Sequence, residues 1–170
     1  MAWVYPPAIL GYICSMKNIP LTQGRFAIVD DADFDWLNQW KWQYSHKGYA
    51  VRSFYKNGKM EYVEMHRSLN KTPAGFQTDH RDGDRLNNQR FNLRTASASQ
   101  NAMNRKPRAD AKSKFKGVSW SKQKSRWVSR IFFDKKSIHL GFFEEEKEAA
   151  IAYNEAAVNK YGNFARLNII

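Results

Sequence analysis

Asp79 and His80 are adjacent, Asn92 follows His80 by twelve residues, and Asn101 follows Asn92 by nine. A neutral imidazole can take a proton from water, a carboxylate and an amide oxygen can hold a hard divalent cation, and a further group can orient the imidazole. Hydrolysis of a phosphodiester bond at a single metal ion needs little more than this, and all the parts lie in one short segment. Alone, any of these side chains could equally cap backbone groups in a polar loop. Their spacing is what singles them out.

Composition limits the partners. The 170 residues carry a formal charge of +12 and a sequence pI near 9.9, which favours a polyanion, nucleic acid being the commonest. The charge is unevenly placed. Residues 1–104 hold 13 Lys/Arg against 9 Asp/Glu, residues 105–143 hold 12 against 2, and residues 144–170 hold 3 against 5. The middle segment is therefore the expected electrostatic footprint, with binding that weakens steeply in salt. Cys14 is the only cysteine, so a monomer has no disulfide framework and no cysteine zinc cluster, as suits a reducing cytoplasm. No apolar run is long enough to span a bilayer and the start lacks the basic region of a signal peptide, which predicts a soluble, cytoplasmic protein with no membrane partner.

The elements that must position the site follow from pattern. Residues 1–16 show no clear period and read as a leader: a packed arm, a disordered stretch, or sequence upstream of a start at Met16. From Ile19 to Met65 the pattern predicts antiparallel strands and one short helix. Asp30, Asp31 and Asp33 open that helix, and Phe34, Leu37 and Trp40 line one face. Trp36, Trp40, Trp42 and Tyr44 are expected in the core, with stacking on bases as the alternative. Asn57-Gly58 marks a hairpin between a strand over 49–55 and one over 59–65. From His66 to Arg105 periodicity fades. Thr78, Asp79 and His80 end a strand, Asp82-Gly83 turns, and Ser97 caps a helix running to about Arg105 with Asn101 on its second turn. Residues 105–114 read as a basic linker, and 115–170 as three short strands and a helix ending at Gly162.

The spacing of Asp79, His80, Asn92 and Asn101, followed by Asn104, Arg105 and Lys106, resembles the HNH nuclease motif and most of all its homing-endonuclease branch. The likeness extends upstream through His66 and Arg67 and covers roughly residues 17–105, with 17–104 as the nuclease domain. It implies a ββα-metal fold in which His80 is the general base, Asp79 a metal ligand and Asn92 a structural support for the histidine loop. The third motif position, a metal ligand in the family, falls on Asn101, with Asn104 as its rival and as a candidate phosphate contact. Arg105 is a secondary candidate, and His66 could support the site, contact DNA or simply pack. An amide oxygen suits Mg²⁺ or Mn²⁺ and not zinc.

Residues 115–168 resemble the plant Apetala-two, or ethylene-response-factor, DNA-binding domain. Phe115-Lys116-Gly117-Val118 matches its opening, Trp127 its central tryptophan, Leu140-Gly141 its third strand, and Ala149, Ala150, Tyr153, Ala156, Ala157, Leu167 and Asn168 its helix and tail. The resemblance implies a three-stranded sheet that enters the major groove of double-stranded DNA. Lys116, Trp120, Lys122, Lys124, Arg126, Arg130, Phe132 and His139 are the candidate contacts. The match is partial, because Ser119, Phe132 and Ser137 stand where the plant proteins carry arginine and His139 replaces a tryptophan. Alternation along the second strand sets Arg126, Arg130 and Phe132 opposite Trp127, Ile131 and Phe133.

Together these features predict an α+β chain: antiparallel strands leading into an HNH nuclease motif, then a small sheet packed on one helix. The expected activity is metal-dependent DNA cleavage by a monomer in a phage-infected cell, with the C-terminal module as tether. A non-catalytic DNA-binding regulator with a relict nuclease fold is the alternative, and an RNA target a third.

Overall fold

A computed structural model of the chain describes residues 15–107 and 110–170. The expected leader lies outside those residues, except for Ser15 and Met16. The described residues form a mixed α/β structure of several small antiparallel sheets and few helices, in two compact units. One unit takes residues 15–72 and Asp84–Arg94, the other Pro73–Gly83 and Thr95–Ile170.

The first unit opens with a hairpin of β1 (Met16–Pro20) and β2 (Phe26–Asp30), in which Met16 opposes Asp30 and Pro20 opposes Phe26. Helix α1 (Asp31–Leu37) follows, with Asp31 and Asp33 in its first turn, where the helix dipole favours negative charge. It stops sooner than the spacing of Phe34, Leu37 and Trp40 predicts: Asn38 closes it, and Trp40 sits in the turn beyond. The cause is tertiary, since Trp36, Trp40 and Trp42 meet edge to face, and Trp42 donates its Nε1–H to the Leu37 carbonyl at 2.8 Å. These aromatics pack on a core of Ile19, Val29, Leu37, Met65 and Leu69.

β3 (Gln43–Tyr44), β4 (Ala50–Lys56) and β5 (Lys59–Glu64) make a three-stranded sheet. Asn57 and Gly58 both take positive φ, 51° and 73°, as the expected two-residue hairpin turn requires. The strand ends before Met65, which begins a helix the sequence pattern did not predict, α2 (Met65–Asn70). Its burial of Met65, His66 and Leu69 is the reason: three residues on one short turn give too little periodicity to read, yet they close the core.

The rest of this unit is a loop stitched to β2. Asn88 donates its backbone N–H to the Ile28 carbonyl at 2.7 Å, Ile28 donates to Leu86 at 2.8 Å, and Ile28 and Asn87 form a parallel bridge. Arg90 adds two hydrogen bonds to the buried Asp33, 2.7 Å from Nε and 2.6 Å from Nη2. Burial works to raise that carboxyl, but the hydrogen bonds from Arg90 and Trp36 carry it below the ordinary carboxylate range.

In the second unit β6 (Gln77–His80) forms a two-stranded sheet with β7 (Leu93–Ala96), whose last two residues belong to the same unit. Helix α3 (Ala98–Met103) packs on β6. After it come β8 (Val118–Ser121), β9 (Arg126–Phe133) and β10 (Lys136–Phe143), in the order β10-β9-β8, and α4 (Glu146–Tyr161) lies across them. Ala149, Ala150 and Ala157 are fully buried, and their small size brings α4 close to the sheet. Gly117 (φ +77°) permits the closest approach: a Cβ there would lie 2.1 Å from the Tyr153 ring and 2.6 Å from the Arg130 carbonyl.

Candidate active site

The site is built on the end of one strand and one six-residue helix. Thr78, Asp79 and His80 are the last residues of β6 and all three are buried. The chain then turns sharply: Gly83, at φ +73°, donates its N–H to the His80 carbonyl at 2.9 Å. Helix α3 is too short to be stable alone and depends on its capping box, in which Ser97 accepts from the Gln100 N–H and the Gln100 side chain accepts from the Ser97 N–H.

Asn101 on α3 and Asn104 at its C-terminal cap, one turn apart, face two residues two apart on β6. Asn101 donates Nδ2–H to the Gln77 side chain at 2.5 Å. Asn104, 6% exposed, lies with Nδ2 at 3.0 and 3.2 Å from the two carboxylate oxygens of Asp79 and 2.7 Å from the His80 carbonyl. Those partners are acceptors only, so the amide must present its nitrogen. One N–H then fixes the Asp79 carboxylate and the other the His80 backbone. It is Asn104, not Asn101, that touches Asp79. The sequence motif marked Asn104 as a rival ligand, but nothing in its spacing revealed this bracing contact.

Asn92 belongs to the first unit, where it is buried and donates Nδ2–H to the Asn87 carbonyl at 2.8 Å, closing the loop that ends at β7. His66 is buried in α2 with its ring 4.6 Å from that of Tyr49 and Nε2 3.5 Å from Glu64. Arg105 is exposed just past α3.

The donor set near β6 suits a hard cation. Asp79 offers a carboxylate, and Asn101, its nitrogen bonded to Gln77, offers an amide oxygen. Among the described residues no group of three or more His, Cys, Asp or Glu is placed to hold a metal, so a closed thiolate or imidazole cage is not on offer there.

The C-terminal sheet divides its candidates. Register sets Arg126, Arg130, Phe132 and His139 on one face, with His139 opposite Arg130. Arg126, Arg130, Phe132 and His139 are exposed, and Arg126 makes a 3.2 Å surface pair with Glu144. Trp120 stands directly across from Trp127 and meets it edge to face at 5.2 Å, so it shares the other side, that of Trp127 and Ile131. Lys122 and Lys124 are exposed in the turn between β8 and β9. Lys116 precedes the sheet, and its ammonium donates to the Met103 carbonyl at the end of α3.

One residue of the exposed face was missed. Between His139 and Gly141 the register slips by one, so Phe142 pairs with Val128 and packs against His139 at 4.6 Å. Strict alternation would have sent Phe142 to the helix side; the bulge reverses it. Leu140-Gly141, with Gly141 at φ +151°, was the available signal.

A sequence model of the HNH endonuclease family matches residues 70–103, a span holding Asp79, His80, Asn92 and Asn101. The chain is 32% identical over 160 residues to an uncharacterised HNH endonuclease of Acanthamoeba polyphaga mimivirus, covering 87% of this chain and 77% of that protein. It is also 34% identical over 82 residues to protein 3.8 of Escherichia phage T7, covering 48% of this chain and 68% of the relative.

Proposed function

Because the chain belongs to the HNH endonuclease family, we propose that it is a divalent-metal-dependent DNA endonuclease with His80 as general base and Asp79 and Asn101 as the protein's metal ligands. The observation that carries this reading is the pair of amides at the end of α3: Asn104, the cap residue, locks the Asp79 carboxylate and the His80 backbone, while Asn101 keeps its oxygen for a cation. Asn104 is the weaker candidate for ligand, because its nitrogen faces Asp79 and its oxygen would have to be turned inward.

A bound Mg²⁺ or Mn²⁺ would supply Lewis acidity to the scissile phosphate and the departing oxygen. His80 accepts the proton of the attacking water, and the turn closed by Gly83 together with the Asn104 brace fixes the backbone that presents it. Asn92 acts at a distance, by holding the loop that leads into β7.

The sheet of β8–β10 is read as the DNA-binding module, of Apetala-two type, with Arg126, Arg130, Phe132, His139 and Phe142 on the groove-facing side. The charge of residues 105–143 supports it. Each chain brings one site, which fits nicking by a monomer. Relatives from a giant virus and a phage support a setting inside an infected cell.

One observation favours the second reading, a DNA-binding regulator without catalysis: His80 is only 4% exposed. Incubation of the protein with supercoiled plasmid across Mg²⁺ and Mn²⁺ concentrations separates the two. Nicked or linear product is expected; binding to DNA without any product, in folded protein, would sink the nuclease reading and leave the regulator.

A further inference from the structure

We infer that Lys114, Lys116 and Arg166 line a phosphate-binding cleft, with Lys106 next to Arg166 at the turn that follows His80, and that these cations hold one backbone phosphate of bound DNA. This rests on the reading of the chain as a DNA endonuclease and adds a contact separate from the exposed face of the C-terminal sheet.

Arg166 is held on a fixed tail. Asn168 accepts from the Lys116 backbone N–H at 2.7 Å and donates to the Lys116 carbonyl at 3.1 Å; its own backbone exchanges hydrogen bonds with the Asn154 side chain of α4 at 2.7 and 2.9 Å. The guanidinium so placed donates to the Asp82 carbonyl at 3.3 Å. It lies so close to Gly83 that a Cβ there would come within 2.6 Å of Nη1, and the stem of Lys106 would be 3.4 Å from the same point. Lys116 lies near enough to Arg166 to feel its charge, with its ammonium on the last carbonyl of α3, the helix that carries Asn101. A cleft of about 250 Å³ runs along Pro107, Lys114, Lys116, Arg166 and Asn168.

Among the described residues none of these four cations makes an ion pair. Lys116 and Arg166 are also half-buried, unlike ordinary solvated surface charges. Burial, with repulsion from Arg166 and Arg105, pushes the Lys116 amine down to about 8. Like charges gathered with no ion-paired carboxylate among the described residues are unfavourable until an anion joins them. Phosphate suits the site: it carries the charge and presents several acceptor oxygens to a guanidinium fork and to ammonium groups at once.

The test measures binding of a random duplex of about 30 base pairs in EDTA, by fluorescence anisotropy over a salt series, so that cleavage plays no part. Arg166→Gln and Lys106→Gln should each reduce the log–log salt slope by about 1 and weaken binding roughly tenfold near physiological salt. Arg166→Lys should keep most of the slope. An unchanged slope in folded Arg166→Gln overturns the proposal. So does a lowered melting temperature and slower nicking with the slope intact, which would make Arg166 only a brace for the Asp82–Gly83 turn. If the slopes fall but the wild type never nicks DNA, the cleft stands and the nuclease reading fails. If the wild type nicks and the slopes do not move, the cleft alone fails.

Discussion

Two regions of one compact unit are assembled by opposite means. Around β6 and α3 the buried groups are polar: Thr78, Asp79, His80 and Asn104 lie together, with Asn104 tied to Asp79 and to the His80 backbone by directional hydrogen bonds. Between the C-terminal sheet and α4 the buried groups are mostly apolar, with Val118, Ile131, Ala149, Tyr153 and Ala157 sharing non-directional contacts. A polar network fixes a few atoms accurately and fails when one donor is lost. An apolar interface spreads its stabilisation and leaves the opposite sheet face open to charge. The first arrangement suits chemistry and the second suits binding, so substitutions in the two regions should fail differently.

The largest effect should come from His80→Ala. Loss of a general base typically costs about 10²–10⁴ in rate, so nicking should fall to background while duplex affinity is nearly unchanged. Parallel loss of binding would make His80 a structural residue and erase the contrast.

Next come Asn101 on α3 and Asn104 at its C-terminal cap, which sharpen it. Asn104→Ala removes a donor shared by the buried Asp79 carboxylate and the His80 carbonyl, a loss of about 1–3 kcal/mol. Melting temperature and nicking should both drop. Asn101→Ala should fold normally yet require more Mg²⁺ for half-maximal nicking. If instead Asn104→Ala shifts the metal requirement without lowering the melting temperature, the two roles are exchanged.

Gly117→Ala tests the apolar side. A Cβ at φ +77° would meet the Tyr153 ring and the Arg130 carbonyl, so strain and overpacking together should cost about 3 kcal/mol. Thermal melting would register it, with DNA binding weakened as β9 shifts. A melting temperature equal to the wild type would show that α4 packs less tightly than Tyr153 and Ala157 suggest.

What the sequence made legible divides along the same line. The hairpin at Asn57-Gly58, the Ser97 cap, β9 and the Gly162 end of α4 all rest on local rules and stand where pattern sets them. The family was legible because its signature is a matter of spacing along the chain, and the family match covers residues 70–103. Helix α2, the early stop of α1 and the turned-over Phe142 were not, because each depends on what packs against it from afar. The Asn104 contacts were hidden for the same reason: a residue type says that an amide can brace a carboxylate, and only packing says which carboxylate. Arg90 illustrates it too, since its partner Asp33 is distant in sequence and nothing local to either residue names the other.

The smallest effect should come from the exposed face of the C-terminal sheet, where the proposed DNA contacts are spread over several side chains. Among the described residues Arg126 pairs only with Glu144, a surface contact of the kind worth at most about 1 kcal/mol, and Arg130 lies exposed on the same side. Replacing both by alanine should leave the melting temperature nearly unmoved, lower the salt slope of duplex binding by about 2, and weaken affinity roughly tenfold. Phe142→Ala should weaken binding a few-fold further with no change in slope, because it removes apolar contact and no charge. That pattern would tie the bulge at Leu140 to recognition. Were the double arginine variant to bind with the wild-type slope, the face would be ordinary solvated surface, and DNA would have to be held by cations elsewhere in the unit.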